Sequence, residues 1–404
     1  MKILPAFSTK VFVAAVGIFT QSVAFAQQPV VYKYSEPPDL RDGLRTGTLR
    51  DAGLDEATIV AGTIEILKGT YPNIHSLLIL KNGRLVYEKY FSGEDVERGK
   101  RNLGVVAHGI DTLHDMRSVT KSIVGMTVMI AHAQGKIKSL DQNVFEFFPE
   151  FAKYADGDKK TITLKHLLSM SSGMEWNEHV PYTDPTNDEV QMNRSADPIG
   201  YVLSRKLVDK PGTVMNYSGG SSQVLAEVVK RATGSSVDEY ATQNLFSPLG
   251  ITTFNWVKDR NGFPSAASGL RLRSRDLAKI SLMIMNDGKW NGKRIIPADL
   301  VRESVTPHIT LPGHPPGMPD FSMGYGYQIW LPTFPVDGVK VSTMSFRGNS
   351  GQIVEMSKPL KLIVVVTAGN YDKPWDPKQK DSTTIYMDIV HPAAVKSKSK
   401  AAGR

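Results

Sequence analysis

Apolar and polar positions change rhythm several times along this chain, and the changes mark out its elements. Ile74 to Leu80 and Arg84 to Phe91 are strand-like, and Lys81-Asn82-Gly83 between them supplies the positive φ angles of a hairpin turn. Residues 92–115 are rich in glycine and charge and read as a loop. Ser118 to Gln134 is almost wholly apolar or small, with Lys121 its only Lys or Arg and Gly135 behind it as a stop. That pattern predicts a buried helix rather than an amphipathic one. Shorter helices are predicted at Thr163 to Ser169, at Ser221 to Ala232 before Gly234, and at Arg275 to Asp287. Between them, Met174 to Pro198 lacks periodicity, and a loop of that length is usually functional or a lid.

Strand-like runs follow at Val339 to Phe346, Ile353 to Ser357 and Leu360 to Ala368, and Asp381 to Val390 closes as a helix. The last strand, rich in Val, Ile and Leu, belongs in the middle of a sheet. Strands separated by a helical block predict an α+β fold whose sheet is assembled from both ends of the chain. The expected division is a sheet domain from 27–130 and 280–391, a mainly helical domain at 131–279, and a disordered basic tail at 392–404.

Composition adds a destination. Lys2 and Lys10 flank an apolar start, Val11 to Phe19 continue it, and Ala24-Phe25-Ala26 is a small-x-small cleavage site. This is the pattern of a secretory signal peptide at 1–26, cut after Ala26, and the mature protein is expected in the periplasm or secreted. No later run approaches the ~20 apolar residues of a membrane helix, so no membrane insertion is expected. The chain has no Cys, which excludes disulfides and thiolate catalysis. Its formal charge is +8, and removing Lys2 and Lys10 leaves +6. No basic stripe interleaved with aromatics accompanies that excess, so nucleic acid is not an expected partner.

The candidate chemistry starts with Ser118-Val-Thr-Lys121. Three residues apart on a helix, the two side chains share one face. A serine hydroxyl needs a base to become a nucleophile, and a lysine acts as one when burial and a helix N-terminus depress its pKa. A second Ser-x-x-Lys, Ser397 to Lys400, sits in the polar tail, where neither condition holds.

The surroundings of Ser118 carry a resemblance. Asp115 to Ser122, Thr161 to Gly173 with its Leu-Leu and Ser-Gly, Pro211-Gly to Tyr217-Ser-Gly219, Ser268-Gly-Leu with Arg275-Asp-Leu-Ala, and Gly324 to Trp330 come in the order of matching blocks in the serine β-lactamase and penicillin-binding family. The chain resembles that family over about residues 55 to 390. Ser345 to Gln352, Thr367 to Asp372 and, loosely, Glu178 to Tyr182 are similar to its esterase-like branch, which includes 6-aminohexanoate-dimer (nylon oligomer) hydrolase. The resemblance implies a β-lactamase-like fold, with an antiparallel sheet flanked by helices and an inserted helical domain. It implies Ser118 as nucleophile, Lys121 and Tyr217 as proton-transfer groups, and the backbone N–H groups of Ser118 and Gln352 as an oxyanion hole. It also implies that Asn349, Ser350 and Gly351 lie on the strand that lines the substrate, with Trp176 and Tyr182 contributing from the 174–198 loop.

Two departures carry information. Gly219 stands where relatives have Asn, and Asn349 where they have Lys or His. Both replaced groups help hold β-lactam or D-Ala-D-Ala substrates. The expected activity is therefore hydrolysis of a small ester or amide through an acyl-enzyme, without a cofactor. The alternatives are a penicillin-binding sensor, or a weak β-lactamase or D-peptidase, of the same fold. No His-x-His or HExxH occurs, His308 and His314 lie in a Pro/Gly loop, and no metal site is expected. Gly219-Gly-Ser-Ser222 lacks the lysine of a phosphate-binding loop, and Asp276 reads as a structural cap.

Overall fold

The computed structural model describes residues 29–98, 101–259, 261–311, 321–336, 338–371 and 380–402. The expected signal peptide, Asp372, His314 and much of the 308–322 loop lie outside those residues. Residues 29–31 belong to a unit of their own, without regular structure, and the elements below all belong to the second unit, Tyr32–Arg404.

A short strand β1 (Arg45–Thr46) and helix α1 (Glu56–Leu67) lead into the hairpin β2 (Ile74–Lys81) and β3 (Arg84–Tyr90). Its turn has Asn82 at φ 53° and Gly83 at φ 77°, the left-handed pair that suits the right-handed twist of the flanking strands. The stretch expected to be a loop is a second hairpin, β4 (Ser92–Glu97) and β5 (Arg101–Ala107). Its register runs from Ser92 opposite Ala107 to Glu97 opposite Arg101, so backbone pairing supplies what apolar alternation does not.

The helices that bear on the site and the sheet are α2 (Val119–Ala133), α3 (Leu164–Leu168), α4 (Asp188–Arg194), α5 (Pro198–Leu203), α6 (Gly219–Thr233), α7 (Ser274–Met285) and α8 (His391–Ala402). The later strands of the main sheet are β6 (Ile309–Thr310), β7 (Ser322–Tyr325), β8 (Trp330–Val336), β9 (Val339–Ser342), β10 (Met344–Gly348), β11 (Gln352–Ser357) and β12 (Leu362–Ala368). The run expected as one strand from Val339 thus breaks at Thr343. One sheet runs β1-β3-β2-β12-β11-β10-β8-β7-β6, with β9 paired to β8. The β1–β3 pairing is parallel and the others are antiparallel. Both ends of the chain build this sheet, as the α+β reading requires.

Along β2, Leu77 and Ile79 join one core while Leu78 and Leu80 join another, the two-residue period of a strand. The first core packs the sheet on Ile59 and Ile66 of α1 and on Ala393 and Ala394 of α8; the second packs it on α2 and the helical middle. Central β12 is covered on both faces, and its seven residues are all buried.

The second core runs without a break from Leu78 of the sheet through Leu167, Val228 and Phe246 of the helical middle. Two expectations need correction. The 174–198 segment contains α4, whose N-cap Asn187 accepts from Val190 N at 3.2 Å. The tail expected to be disordered from 392 is helical to Ala402, because the small Ala393 and Ala394 fit against α1.

Gln328 fastens the helices that carry the site. Its carbonyl accepts from Ser122 Oγ (2.6 Å), its Oε1 accepts from Ser222 Oγ (2.8 Å), and its Nε2 donates to Leu167 O (3.0 Å). A β-carbon on Gly125 of α2 would stand 3.0 Å from Gln328 Cβ, so the glycine permits this close approach.

Candidate active site

Ser118 is the N-cap of α2, yet its side chain makes no capping hydrogen bond, which leaves the hydroxyl to another partner. Arg117 before it is held at φ 50°, a conformation costly for a residue with a β-carbon. An ion pair to Asp115 Oδ2 (3.3 Å) and packing over the Tyr371 ring (4.6 Å) anchor that arginine.

One helical turn on, the side chain of Lys121 is 1% exposed. Its Nζ donates to Ser118 Oγ (3.0 Å), Ala267 O (2.9 Å) and Glu178 Oε1 (3.4 Å), and it stands 4.8 Å from the centre of the Tyr217 ring. Three acceptors match the three donors of an ammonium. Burial alone pulls its pKa down, but Glu178, together with Tyr217, Glu189 and Tyr182, outweighs burial and holds it above the usual lysine range. The expected depressed lysine is overturned. The reason is a buried acid that the Ser-x-x-Lys spacing could not reveal.

Tyr217 leads into α6, whose N-cap Ser218 accepts from Ser221 N at 3.1 Å. Its ring stacks on Trp330 (5.3 Å between centroids) and meets Tyr325 edge-on (6.3 Å). Burial raises its pKa, while the Lys121 charge and a hydrogen bond with Ser118 act the other way. Ser118, Lys121 and Tyr217 are therefore brought together.

Glu178 was not singled out as a site residue. Its side chain is 3% exposed, and its Oε2 accepts from Gly219 N (2.5 Å) and Trp176 Nε1 (2.9 Å). Burial pushes its carboxyl up to about 7, against the opposing pull of Lys121, with nearby Glu189 adding to the rise. A β-carbon on Gly219 would stand 3.0 Å from that same Oε2. A carboxylate thus fills the space beside the glycine that replaces Asn, and the replacement was the one signal in the sequence that pointed to it. Behind it, Glu189 accepts from Arg98 (2.9 Å), Ser268 Oγ (2.6 Å) and the Tyr182 hydroxyl (3.1 Å). Burial would raise this carboxyl, but Arg98, Lys121 and Ser268 hold it below the usual carboxylate range.

The remaining candidates divide. Trp176 is 6% exposed and its Nε1 donates to Glu178 Oε2. Tyr182 is 37% exposed. Asn349, Ser350 and Gly351 form a tight turn between β10 and β11 rather than a strand, with Ser350 at φ 75° and Gly351 at φ 98°. Asn349 is exposed, whereas the Ser350 hydroxyl is buried without a hydrogen-bond partner. Gly348 at the end of β10 packs on the segment that leads into Ser118, since a β-carbon there would stand 2.3 Å from Met116 O. Gln352 lies across the turn in register with Gly348, and its side chain donates to Ala368 O at 2.6 Å. Asp276 holds Arg273 at 2.7 Å, a structural role.

No histidine motif is present in the linear sequence, but histidines converge in space. Ligand atoms of His75, Asp95 and His108 lie within 4.8 Å of one another.

Comparison with known proteins places this geometry. The family model described as Beta-lactamase matches residues 75–382. Protein flp of Staphylococcus aureus is 26% identical over 211 residues, which is 52% of this chain and 40% of that protein. The 6-aminohexanoate-dimer hydrolase of Paenarthrobacter ureafaciens is 29% identical over 198 residues, 46% of this chain and 49% of that one. The chain therefore aligns with less than half the length of these curated relatives. Among solved structures, EstCE1, a hydrolase with promiscuous acyltransferase activity, superposes with a TM-score of 0.62 at 17% identity, covering 85% of this chain and 98% of its own.

Proposed function

The chain belongs to the beta-lactamase family, and on that premise we propose that it is a serine hydrolase cleaving carboxyl ester or small amide bonds through an acyl-enzyme on Ser118. The observation that carries the reading is the 3.0 Å contact from Lys121 Nζ to Ser118 Oγ at the start of a buried helix.

Lys121 arrives as an ammonium and must lose a proton before it can act as a base. Glu178, 3.4 Å away and with its carboxyl pushed up to about 7, takes that proton. The pair then becomes a neutral amine beside a neutral acid, a form that low-dielectric surroundings tolerate. The amine accepts the Ser118 proton as Oγ bonds the substrate carbonyl carbon, and Tyr217 passes a proton to the departing oxygen or nitrogen. The backbone N–H of Ser118 and a second N–H from the 349–352 segment, which includes Gln352, hold the negative oxygen. Water then attacks the acyl-enzyme, the proton steps run in reverse, and the acid leaves.

The substrate class follows from charge. Neither Gly219 nor Asn349 offers a cation to a substrate carboxylate, and Glu178 and Glu189 line the back of the site. Neutral esters and small amides fit this better than β-lactams. A screen of the purified protein against short-chain esters, linear amide dimers and β-lactams tests it, with Ser118→Ala as the blank. Turnover confined to β-lactams would overturn it. A second reading, a penicillin-binding sensor of the same fold, draws on the ion pair of Lys121 with Glu178, which holds the lysine charged and would slow the deacylating step. It predicts a lasting penicillin adduct on Ser118. Export belongs to the same proposal, with the N-terminal sequence of the mature chain as its test.

A further inference from the structure

Asn73, His75, His108 and His114 form a group whose hydrogen bonds do not balance. Asn73 Nδ2 donates to Glu94 O (2.8 Å) and Gly369 O (2.8 Å). That fixes the amide, so its Oδ1, 3.2 Å from His75 Nε2, is an acceptor. At the other end His114 Nδ1 faces the Asp115 carbonyl at 3.1 Å and so carries its proton there, which leaves His114 Nε2 as a lone pair 2.8 Å from His75 Nδ1. With neutral rings, His75 must donate from Nδ1, and its bare Nε2 then faces the Asn73 oxygen. Two lone pairs meet. His108 stacks on His75 at 3.9 Å between centroids, and its own Nε2 is buried without a hydrogen-bond partner.

A proton added to His75 would answer the first defect and leave His108 Nε2 without a partner, whereas one cation held between the rings answers both. We propose that His75 Nε2, His108 and Asp95, with Asn73 Oδ1 beside them, bind one divalent first-row transition cation.

The ligand atoms of His75, Asp95 and His108 already lie within 4.8 Å of one another, and modest closure brings them to metal-bonding distance. Two imidazoles with carboxylate and amide oxygens suit zinc and its neighbours in the first row. The second shell is in place, because a ligating histidine normally donates its other N–H, as His75 does to His114 and His114 does to Asp115 O. Gly93 keeps the approach clear: a β-carbon there would stand 2.4 Å from Asn73 Oδ1 and 2.7 Å from His75 Nε2. The cation would join β2 to the β4–β5 hairpin and, through His114, to the segment running into Arg117 and Ser118. It is a structural staple, independent of the hydrolytic reading.

The test uses the full chain stripped with a chelator, dialysed against zinc and then against metal-free buffer. Bound metal is counted by elemental analysis, and melting is followed with and without zinc. The expected result is one zinc retained per chain and a higher melting temperature with zinc. Retention should be lost in His108→Ala, whose side chain is only half-buried and so is tolerated by the fold, and kept in the control His179→Ala. Asp95→Asn should weaken retention. Folded wild-type protein that keeps far less than one zinc per chain overturns the site, as does equal retention in His108→Ala.

Discussion

Gly219 and Glu178 form one unit: the Gly219 N–H donates to Glu178 Oε2 at 2.5 Å, and a β-carbon on residue 219 would stand 3.0 Å from that oxygen. A side chain at residue 219 would press on this carboxylate and, at 2.9 Å, on Ala267 Cβ. Gly219→Ala should therefore displace Glu178 and lower kcat by about ten- to a hundred-fold with little change in KM. Steady-state kinetics on a p-nitrophenyl ester check this.

The pH profile reports on the same acid. Below about 7 Glu178 is protonated and cannot take a proton from Lys121, so kcat/KM should fall as pH drops through that value. Glu178→Gln should lose this acid limb and keep a low, flat rate. A limb of unchanged position in the variant would contradict the role given to Glu178.

Trp176→Phe keeps the ring in the core and deletes the Nε1 donor, 2.9 Å from Glu178 Oε2. That hydrogen bond lowers the Glu178 pKa, so its loss raises the pKa and the acid limb should move to higher pH. The melting temperature, measured alongside, separates this effect from simple loss of structure.

Much of the fold was legible because local chemistry and tertiary packing agree. Asn82-Gly83 fixes its hairpin, and the apolar run after Leu360 forms the central strand β12. The β4–β5 hairpin was illegible, because Ser92 to Ala107 is held by backbone pairing and by contacts distant in sequence. At the site, spacing gave Ser118 and Lys121, and the family resemblance gave Tyr217. Glu178 comes from a segment 57 residues beyond Lys121, and no linear motif joins them. The histidines failed for the same reason, since His75 and His114 are 39 residues apart in sequence and touch in space.

Leu78 of β2 is fully buried in the second core, on a strand that packs against α7. Leu78→Ala should cost about 2–5 kcal/mol of stability through lost burial and the cavity left behind. Urea unfolding of the two proteins reads this directly. A loss well under that range would mean that the core collapses around the gap.

The central claim is that Ser118, with Lys121 beside it, forms the acyl-enzyme. Its most direct test is the mass of the protein quenched in acid during turnover of a p-nitrophenyl ester, followed by peptide mapping. The account predicts one acyl group on the peptide containing Ser118. It also predicts no adduct and no turnover in Ser118→Ala, and a rate lowered by about a hundred- to ten-thousand-fold in Lys121→Met. An acyl group on another residue, or an undiminished rate in Ser118→Ala, would contradict it.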